Sequence, residues 1–385
     1  MKRHRGLYGE VCSFENLLLA SQSARRRKRS RIDVERFEYD LERNLHQLSV
    51  ELRSRSYCPG PLRDFWISEP KRRLISMSAY RDRVVHHALC RVIEPIFERT
   101  FIYDSYASRT GKGTHAAVRR YQEFARQHKY VLKCDIRRFF PSIDHQLLLA
   151  RVERKIADRE VLWLIERIVS NSPSRERVPG FFPGDDLFTG AERPRGLPVG
   201  NQTSQFLANV FLNALDHYVK EELRVGCYVR YVDDFVLLGD STAELRELMG
   251  LIERFLWLDR LWLHPQKRVI SRVQDGIRFL GYRVFPDHCR LPQQNVLRFR
   301  RRLRRMQRSF AAGQMDLEAV RQRIMAWLGH AGRAASGHLL RRLLRCRFVR
   351  GNSVDQSRVA WRLVQQQQPG QPPVGEPQQQ LARQP

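Results

Sequence analysis

Residues 228–238 read Tyr-Val-Arg-Tyr-Val-Asp-Asp-Phe-Val-Leu-Leu. Two adjacent acids, Asp233 and Asp234, interrupt an apolar pattern that is typical of two strands joined by a turn. Burying two carboxylates among apolar side chains costs free energy unless a positive charge neutralises them. A divalent cation would do so, and both acids could reach it from the turn of a hairpin. The stretch therefore predicts a β-hairpin that carries a metal site.

A third acid is expected from another strand, because two adjacent acids rarely suffice for two-metal chemistry. Residues 130–135 form a short apolar run that ends in Asp135, which is typical of a buried strand. Two-metal phosphoryl transfer needs carboxylates that bridge ions about 3.5–4 Å apart. We therefore predict that Asp135, Asp233 and Asp234 converge on two Mg²⁺ ions, with Mn²⁺ as an alternative metal.

A second acidic pair, Asp185-Asp186, provides the contrasting case. It lies in a Pro/Gly-rich stretch, 171–200, and no strand pattern leads into it. Adjacent acids in such loops usually serve turns or helix caps. We interpret this pair as structural.

The composition points to a polyanionic partner. The chain has 385 residues and a formal net charge of +28, with 69 Lys and Arg against 41 Asp and Glu. Nucleic acid is the leading candidate and an anionic membrane surface the second. No apolar run approaches the roughly 18 residues needed to span a bilayer, so we expect no membrane partner and a cytoplasmic, bacterial or phage-encoded protein.

From residue 295 the sequence predicts a basic helix. Seven arginines lie between positions 298 and 308, and an ordinary solvated helix rarely carries so many. The opposite, apolar face is predicted to contain Leu297, Leu303, Met306 and Phe310.

Four motifs, in order over about residues 8–290, resemble those of reverse transcriptases. Residues 231–235 are similar to the family's metal-binding hairpin, and 135–144 to its first metal strand. Residues 196–205 resemble the turn and helix that contact dNTP and template, and 279–284 resemble the primer-grip hairpin.

Within that family, the chain resembles the enzymes of diversity-generating retroelements. Group II intron and retroviral enzymes typically carry Gln where this chain has Val199 and Pro where it has Gln205. The diversity-generating enzymes are similar to this chain at both positions, and they are error-prone opposite template adenine. A Gln at 199 could hydrogen-bond the incoming nucleotide whereas Val cannot, which should weaken discrimination between bases. The alternative is that Val199 simply packs.

The resemblance also implies roles around the nucleotide. Phe140 falls where the family places the steric gate against a 2′-hydroxyl, and Lys267 resembles the lysine thought to protonate pyrophosphate. The resemblance also assigns Ile136 to both the metal-binding and the dNTP-binding positions. Lys71 and Arg73 resemble the residues that grip the triphosphate; a plain basic hairpin turn is the alternative for these two.

Further positions are implied to contact nucleic acid. They are Arg109 and Lys112 in the loop 108–114, Gly281 and Tyr282 in the primer-grip hairpin, and Arg298, Arg301 and Arg305 in the basic helix. The arginines would contact phosphates without reading sequence, so binding should depend strongly on salt.

The implied fold is α+β: a right-hand polymerase with fingers, an antiparallel-sheet palm and a small helical thumb. Residues 1–60 would be a basic helical N-terminal extension, 61–290 the fingers and palm, 291–364 the basic helical thumb, and 365–385 a disordered Gln/Pro-rich tail.

The predicted activity is RNA-directed DNA polymerisation, error-prone at template adenines. Partners implied by the resemblance are template RNA, cDNA or primer, dNTPs and a small basic helical accessory protein. Alternatives are a phage-defence or intron-derived reverse transcriptase, or a catalytically idle RNA-binding protein with a polymerase fold.

Overall fold

A computed structural model describes residues 3–67, 72–171, 181–182, 184–186, 188–334 and 343. The predictions for Lys71, for the tail 365–385 and for most of the thumb beyond 334 lie outside these residues. The chain forms two compact units that divide after Gly276. This division falls earlier than the predicted boundary at 290/291, because the hairpin at 277–284 belongs to the second unit.

The described helices are α1 (Tyr8–Val11), α2 (Phe14–Ala24), α3 (Ile32–Tyr39), α4 (Leu41–Arg53), α5 (Tyr80–Glu98), α6 (Thr114–Ala125), α7 (Phe139–Ser142), α8 (His145–Glu153), α9 (Arg159–Ser170), α10 (Thr189–Glu192), α11 (Gln202–His217), α12 (Thr242–Leu258), α13 (Gln293–Ala311) and α14 (Leu317–Ala331). The described strands are β1 (Arg63–Ile67), β2 (Arg73–Met77), β3 (Tyr130–Asp135), β4 (Tyr228–Tyr231), β5 (Asp234–Gly239), β6 (Val269–Arg272), β7 (Ile277–Phe279), β8 (Tyr282–Val284) and β9 (Cys289–Arg290). The fold is therefore mixed, with helices and sheets in one chain, as predicted.

The N-terminal helices pack on α5, whose apolar residues recur at helical spacing. Val84, Leu89 and Ile93 are buried on this helix, and α2 lies against it. Asn16 of α2 joins the two, because its Nδ2 donates to the carbonyl of Ala88 at 3.0 Å. Helices therefore cover most of residues 8–53 and all of 80–98.

The central sheet has four antiparallel strands in the order β4-β5-β3-β6. Its interior strands are apolar: Val131, Leu132 and Cys134 of β3 are fully buried. Helix α12 packs against β3 and β5, and α6 against β4 and β5. The predicted strand at 130–136 and the hairpin at 227–238 are confirmed, and the carboxyl end of β3 lies beside the turn of that hairpin.

The segment 145–170, whose apolar residues recur at helical spacing, forms two helices rather than one. Asp158 separates α8 from α9, because its Oδ1 accepts hydrogen bonds from the amides of Glu160 and Val161 and so caps α9. Its Oδ2 accepts from the amides of Leu7 and Tyr8 near the N-terminus. The periodicity of apolar residues spans this break, which is why the sequence reads as one helix.

The second unit contains the sheet β7-β8-β9 and the helices α13 and α14. The ring of Phe299 stacks on that of Trp327, with centroids 3.6 Å apart and planes 4° from parallel. The predicted apolar face of α13 is therefore wrong at one position, since Leu297 is 41% exposed. The buried face contains Val296, Phe299, Leu303, Met306 and Phe310. Among the described helices, none is long and apolar enough to cross a membrane.

The buried and exposed sides of α13 should contribute differently to stability. Phe299→Ala should destabilise the second unit by about 3 kcal/mol, because it removes a buried, stacked ring. Leu297→Ala, on the exposed side of the same helix, should change stability by less than about 0.5 kcal/mol. Hydrogen exchange of the amides in 293–331 measures both. Equal loss of protection in the two variants would contradict the assignment of the buried face.

Candidate active site

Three acids from two distant segments lie together at one end of the central sheet. Asp135 of β3 is directly opposite Asp234 of β5 in the antiparallel register, so the two side chains are on the same face. The amide of Ile136 donates to the carbonyl of Asp233 at 3.0 Å, which fixes the turn against the end of β3. The predicted convergence of these segments is present in the structure.

The turn between β4 and β5 consists of Val232 and Asp233. Tyr231 pairs with Asp234, so these two residues form the whole connection. Val232 has a φ of +56°, which is left-handed backbone and uncommon for a β-branched residue. Positive φ at this place in a two-residue hairpin loop usually selects glycine. The turn that presents Asp233 is therefore strained.

Two lysines compensate the acids. Lys267 Nζ donates to Asp135 Oδ1 at 2.6 Å, and Lys133 Nζ donates to Asp234 Oδ2 at 3.1 Å. The sequence analysis identified Lys267 but missed Lys133. Its signal is the strand period: Lys133 precedes Asp135 by two residues, so both lie on the same face of β3.

Negative charge in the cluster is only partly neutralised. Burial, followed by the charge of Asp135, raises the pKa of Asp233 above its ordinary value, while Lys267 and Arg73 act in the opposite direction. Burial raises the pKa of Asp234 to about 6 against the effect of Lys133. A site that resists the ionisation of its own carboxylates gains free energy from an added cation.

The donor set fits a hard divalent metal. Carboxylate oxygens are the ligands that Mg²⁺ and Mn²⁺ prefer. Asp234 Oδ1 is buried and accepts no hydrogen bond, and its charged neighbour is Lys133 Nζ at 3.1 Å. Within the described part of the chain, however, no three acidic, His or Cys side chains are already arranged to hold a metal ion. Ile136 has a buried apolar side chain, so only its main chain could contact a metal or a nucleotide.

The motif at 196–205 is attached to the segment that carries Phe140. The amide of Leu197 donates to the carbonyl of Phe140 at 2.9 Å, and that of Gly196 to the carbonyl of Ile143 at 2.8 Å. Phe140 itself is half-buried and its ring lies 5.5 Å from that of Phe139. These bonds attach the segment that follows β3 to the turn that is predicted to contact the nucleotide.

The same motif is also attached to β2. The amide of Ser76 donates to the carbonyl of Val199 at 3.2 Å. Gly200 has a φ of +125°, and a Cβ there would lie 3.0 Å from Ile75 Cγ2. This close approach and the backbone conformation both require glycine. Arg73 begins this strand, and its charge lowers the pKa of Asp233, so it is within electrostatic reach of the acids.

The predicted nucleic-acid residues of the loop 108–114 are engaged inside the protein. Arg109 donates to Glu98 and to the carbonyls of Ile102 and Ser105. Lys112 Nζ donates to the carbonyl of Tyr103 at 2.8 Å and lies over its ring. These contacts shape the loop; contact with a template or primer backbone stays a prediction for both residues.

Gln205 is exposed at the start of α11. Its Oε1 accepts a hydrogen bond from Ser108 Oγ at 2.9 Å, which connects the loop 108–114 with the nucleotide-contacting motif. Its amide group thus lies between the two segments that the resemblance assigns to template and nucleotide.

The second unit contains the remaining predicted residues. Tyr282 is buried and its hydroxyl donates to the carbonyl of His330 at 2.7 Å. A Cβ on Gly281 would lie 3.1 Å from His330 Cε1, so this turn packs closely on α14. Arg298 Nη2 donates to Asn295 Oδ1 at 3.0 Å, whereas Arg301 and Arg305 are exposed and form no ion pair within the described residues.

The acid pair set aside as structural has structural contacts. Asp185 Oδ2 accepts from the amide of Phe182 at 2.8 Å, and its Oδ1 pairs with Arg193. Asp186 Oδ1 accepts from the amides of Phe188 and Thr189. Both carboxylates therefore hold their own loop, as the sequence analysis predicted.

Comparison with known proteins decides the family. Residues 68–284 match the family described as reverse transcriptase (RNA-dependent DNA polymerase). The chain belongs to this family. The matched range contains both segments of the acidic cluster, and the chain is accordingly an RNA-directed DNA polymerase that takes template RNA and dNTPs.

Three relatives illustrate the breadth of the similarity. The chain is 28% identical to protein YkfC of Escherichia coli K12 in an alignment 296 residues long that covers 66% of this chain and 74% of that protein. It is 24% identical to the group II intron-encoded protein LtrA of Lactococcus lactis subsp. cremoris over 181 residues, 46% of this chain and 28% of LtrA. It is 29% identical to the retron Mx162 reverse transcriptase of Myxococcus xanthus over 168 residues, 43% of this chain and 32% of that enzyme. The chain thus covers less than a third of the lengths of the last two proteins.

Proposed function

We propose that the chain copies a template RNA into cDNA by two-metal nucleotidyl transfer at Asp135, Asp233 and Asp234. The observation that carries this proposal is the register of β3 and β5, which puts Asp135 opposite Asp234 beside the turn that holds Asp233. Three carboxylates at the end of one sheet, in a family that polymerises DNA, suit a pair of Mg²⁺ ions.

The three acids would hold the metals, which supply a lowered pKa for the primer 3′-hydroxyl and charge stabilisation for the pyrophosphate. The chain's own cations act around them. Lys267 Nζ donates to Asp135 Oδ1 at 2.6 Å, and from this position it would donate to the leaving pyrophosphate. Arg73, together with Lys71, would bind the triphosphate through charge-assisted hydrogen bonds.

Phe140 would select the sugar. Its carbonyl accepts from the amide of Leu197, so its backbone is fixed next to the motif that contacts the nucleotide. An aromatic ring beneath the sugar leaves no room for a 2′-hydroxyl. We propose that this contact makes dNTPs the preferred substrates.

The finer proposal is error-prone synthesis for targeted sequence diversification. Val199 presents an apolar side chain where a glutamine would hydrogen-bond the incoming nucleotide, and its main chain is already fixed to β2. The side chain at position 199 alone would therefore set how well the enzyme discriminates between correct and incorrect bases. Such an enzyme would work with a dedicated template RNA and a small basic helical accessory protein, both inferred from the resemblance.

A second candidate has its own support. The relatives above include an intron-encoded protein and a retron reverse transcriptase, which favours an intron-derived or phage-defence role for the same chemistry. Genome neighbourhood separates the two: a nearby pair of repeats that differ at adenines supports diversification.

Asp233→Asn tests the central proposal. The variant should lose dNTP incorporation on a primed RNA template because it removes a metal-binding charge, while RNA binding stays within about twofold of the wild type because the arginine-phosphate contacts remain. Primer extension and filter binding measure the two properties.

Asp186→Asn is the matched control, since it makes the same chemical change in the loop 181–189. It should retain wild-type synthesis. Undiminished synthesis by Asp233→Asn would remove the metal assignment, and equal losses in both variants would show that the effect is not specific to the cluster.

Phe140→Ala should raise ribonucleotide incorporation relative to deoxyribonucleotide incorporation by roughly 10- to 100-fold, the scale of one steric contact. Competition between rGTP and dGTP in primer extension measures the ratio. Phe140→Tyr keeps the ring and should keep the selectivity. Unchanged sugar selection by the alanine variant would discredit the gate.

Val199→Gln should reduce misincorporation opposite template adenine by roughly fivefold, the equivalent of one net hydrogen bond of about 1 kcal/mol. Sequencing of cDNA products gives the error spectrum at each template base. Val199→Ile, which stays apolar, should leave the spectrum unchanged. Identical spectra for the glutamine variant and the wild type would end the fidelity proposal.

A further inference from the structure

The strained turn at Val232 needs a restraint. A β-branched residue with a φ of +56° persists only where the surrounding structure holds it in place. The carbonyl of Asp233 is held by the amide of Ile136. The carbonyl of the strained residue itself, Val232, accepts a hydrogen bond from Arg230 Nη1 at 3.2 Å.

Arg230 is fully buried, which is unusual for this residue type. Its guanidinium forms a bidentate pair with Asp216, with Nε–Oδ1 at 2.7 Å and Nη2–Oδ2 at 2.6 Å. Both side chains have no exposed surface. Nη1 also donates to Asn209 Oδ1 at 3.2 Å. Because Asp216 and Asn209 both belong to α11, the guanidinium is anchored to that helix.

The main chain of Arg230 is fixed as well. Its amide donates to the carbonyl of Asp104, and its carbonyl accepts from the amide of Tyr106, both at 3.0 Å. The Asp216 carboxylate is in turn held by Tyr228 Oη at 2.9 Å. Arg230 therefore has fixed positions for backbone and side chain before it reaches the turn.

We propose that Arg230 is a positioning residue for DNA synthesis. Anchored by Asp216 and Asn209, its guanidinium holds the Val232 carbonyl, so the left-handed turn keeps Asp233 beside Asp135. Because the ion pair with Asp216 anchors Arg230 to α11, it fixes the position of Asp233 relative to that helix. This inference rests on the proposed metal role of Asp233 but assigns Arg230 no contact with substrate or metal.

The role predicts a change in metal dependence rather than only in stability. Arg230→Lys keeps a positive charge for Asp216, but one ammonium cannot bind both carboxylate oxygens and also reach the Val232 carbonyl. This variant, and Arg230→Met, should raise the Mg²⁺ concentration for half-maximal primer extension by about 10-fold or more, as loss of a supporting shell does at metal sites. RNA binding should remain near wild type.

Arg151→Met is the matched control. Arg151 also pairs with a mostly buried aspartate, Asp259, and donates to a carbonyl of α11, that of Phe211. Among the residues that the structure describes, Arg151 forms no hydrogen bond or ion pair with the turn at Val232. We expect this variant to lower the melting temperature while its Mg²⁺ midpoint stays at the wild-type value.

Each outcome decides the question. A raised Mg²⁺ midpoint in Arg230→Lys but not in Arg151→Met supports the positioning role. An unchanged midpoint in Arg230→Lys overturns it, even if Arg230→Met fails to fold. Asp233→Asn, assayed in parallel, separates this failure from failure of the proposed function: synthesis by that variant rejects the metal assignment, whereas its inactivity with an unchanged Arg230→Lys midpoint rejects only the positioning role.

Discussion

The antiparallel register between β3 and β5 is the constraint on which the site depends. A shift by one residue would move Asp135 to the opposite face of the sheet from Asp234. The register is fixed from both sides of β3, because β5 pairs with it from Tyr130 to Asp135 and β6 pairs with it from Tyr130 to Lys133. The buried apolar side chains of these strands therefore determine where the acids meet, and the energy of the core supports a cluster that is itself unfavourable.

The basic residues near the acidic cluster and those of α13 have different surroundings. Those near the acids have fixed partners: Lys267 and Lys133 each pair with an acid of the cluster, and Arg230 has Asp216. The arginines of α13 have a different setting, since that helix contains no Asp or Glu. Seven arginines of a chain with a net charge of +28 therefore lie on one helix that has no acidic residue of its own, which is the pattern expected of a surface that meets a phosphate backbone.

The acidic cluster could be predicted from the sequence because local patterns determine it. The strand period of two and the apolar flanks place Asp135, Asp233 and Asp234 at strand ends, and Lys133 follows from the same period. Arg230 could not be found in this way. An arginine in a short apolar strand reads as a solvent-facing residue, and its burial depends on Asp216, whose helical position gives no sign of the pairing.

Other differences have equally physical origins. The predicted apolar face of α13 included Leu297, which is apolar, and missed Phe299, which lies among arginines; stacking of Phe299 on Trp327 buries that side of the helix. Arg109 and Lys112 were predicted, from the resemblance, to contact the template or primer backbone, and that contact stays a prediction. The structure shows carbonyl and aromatic partners within the protein for both. These partners could not be predicted, because the sequence does not reveal how the loop folds against its own basic side chains.

The turn at 196–200 connects the elements that the proposed chemistry must coordinate. Its amides at 196 and 197 bind the segment after Asp135, and its carbonyl at Val199 binds β2, where Arg73 begins. Gly200 allows this approach because any Cβ would press on Ile75. A change at the side chain of Val199 therefore leaves the main-chain frame intact, since all three anchoring bonds use backbone atoms. Under the proposed role of Val199, base discrimination would vary at this position without disturbing the acids, which is the separation of roles that a polymerase of altered fidelity requires.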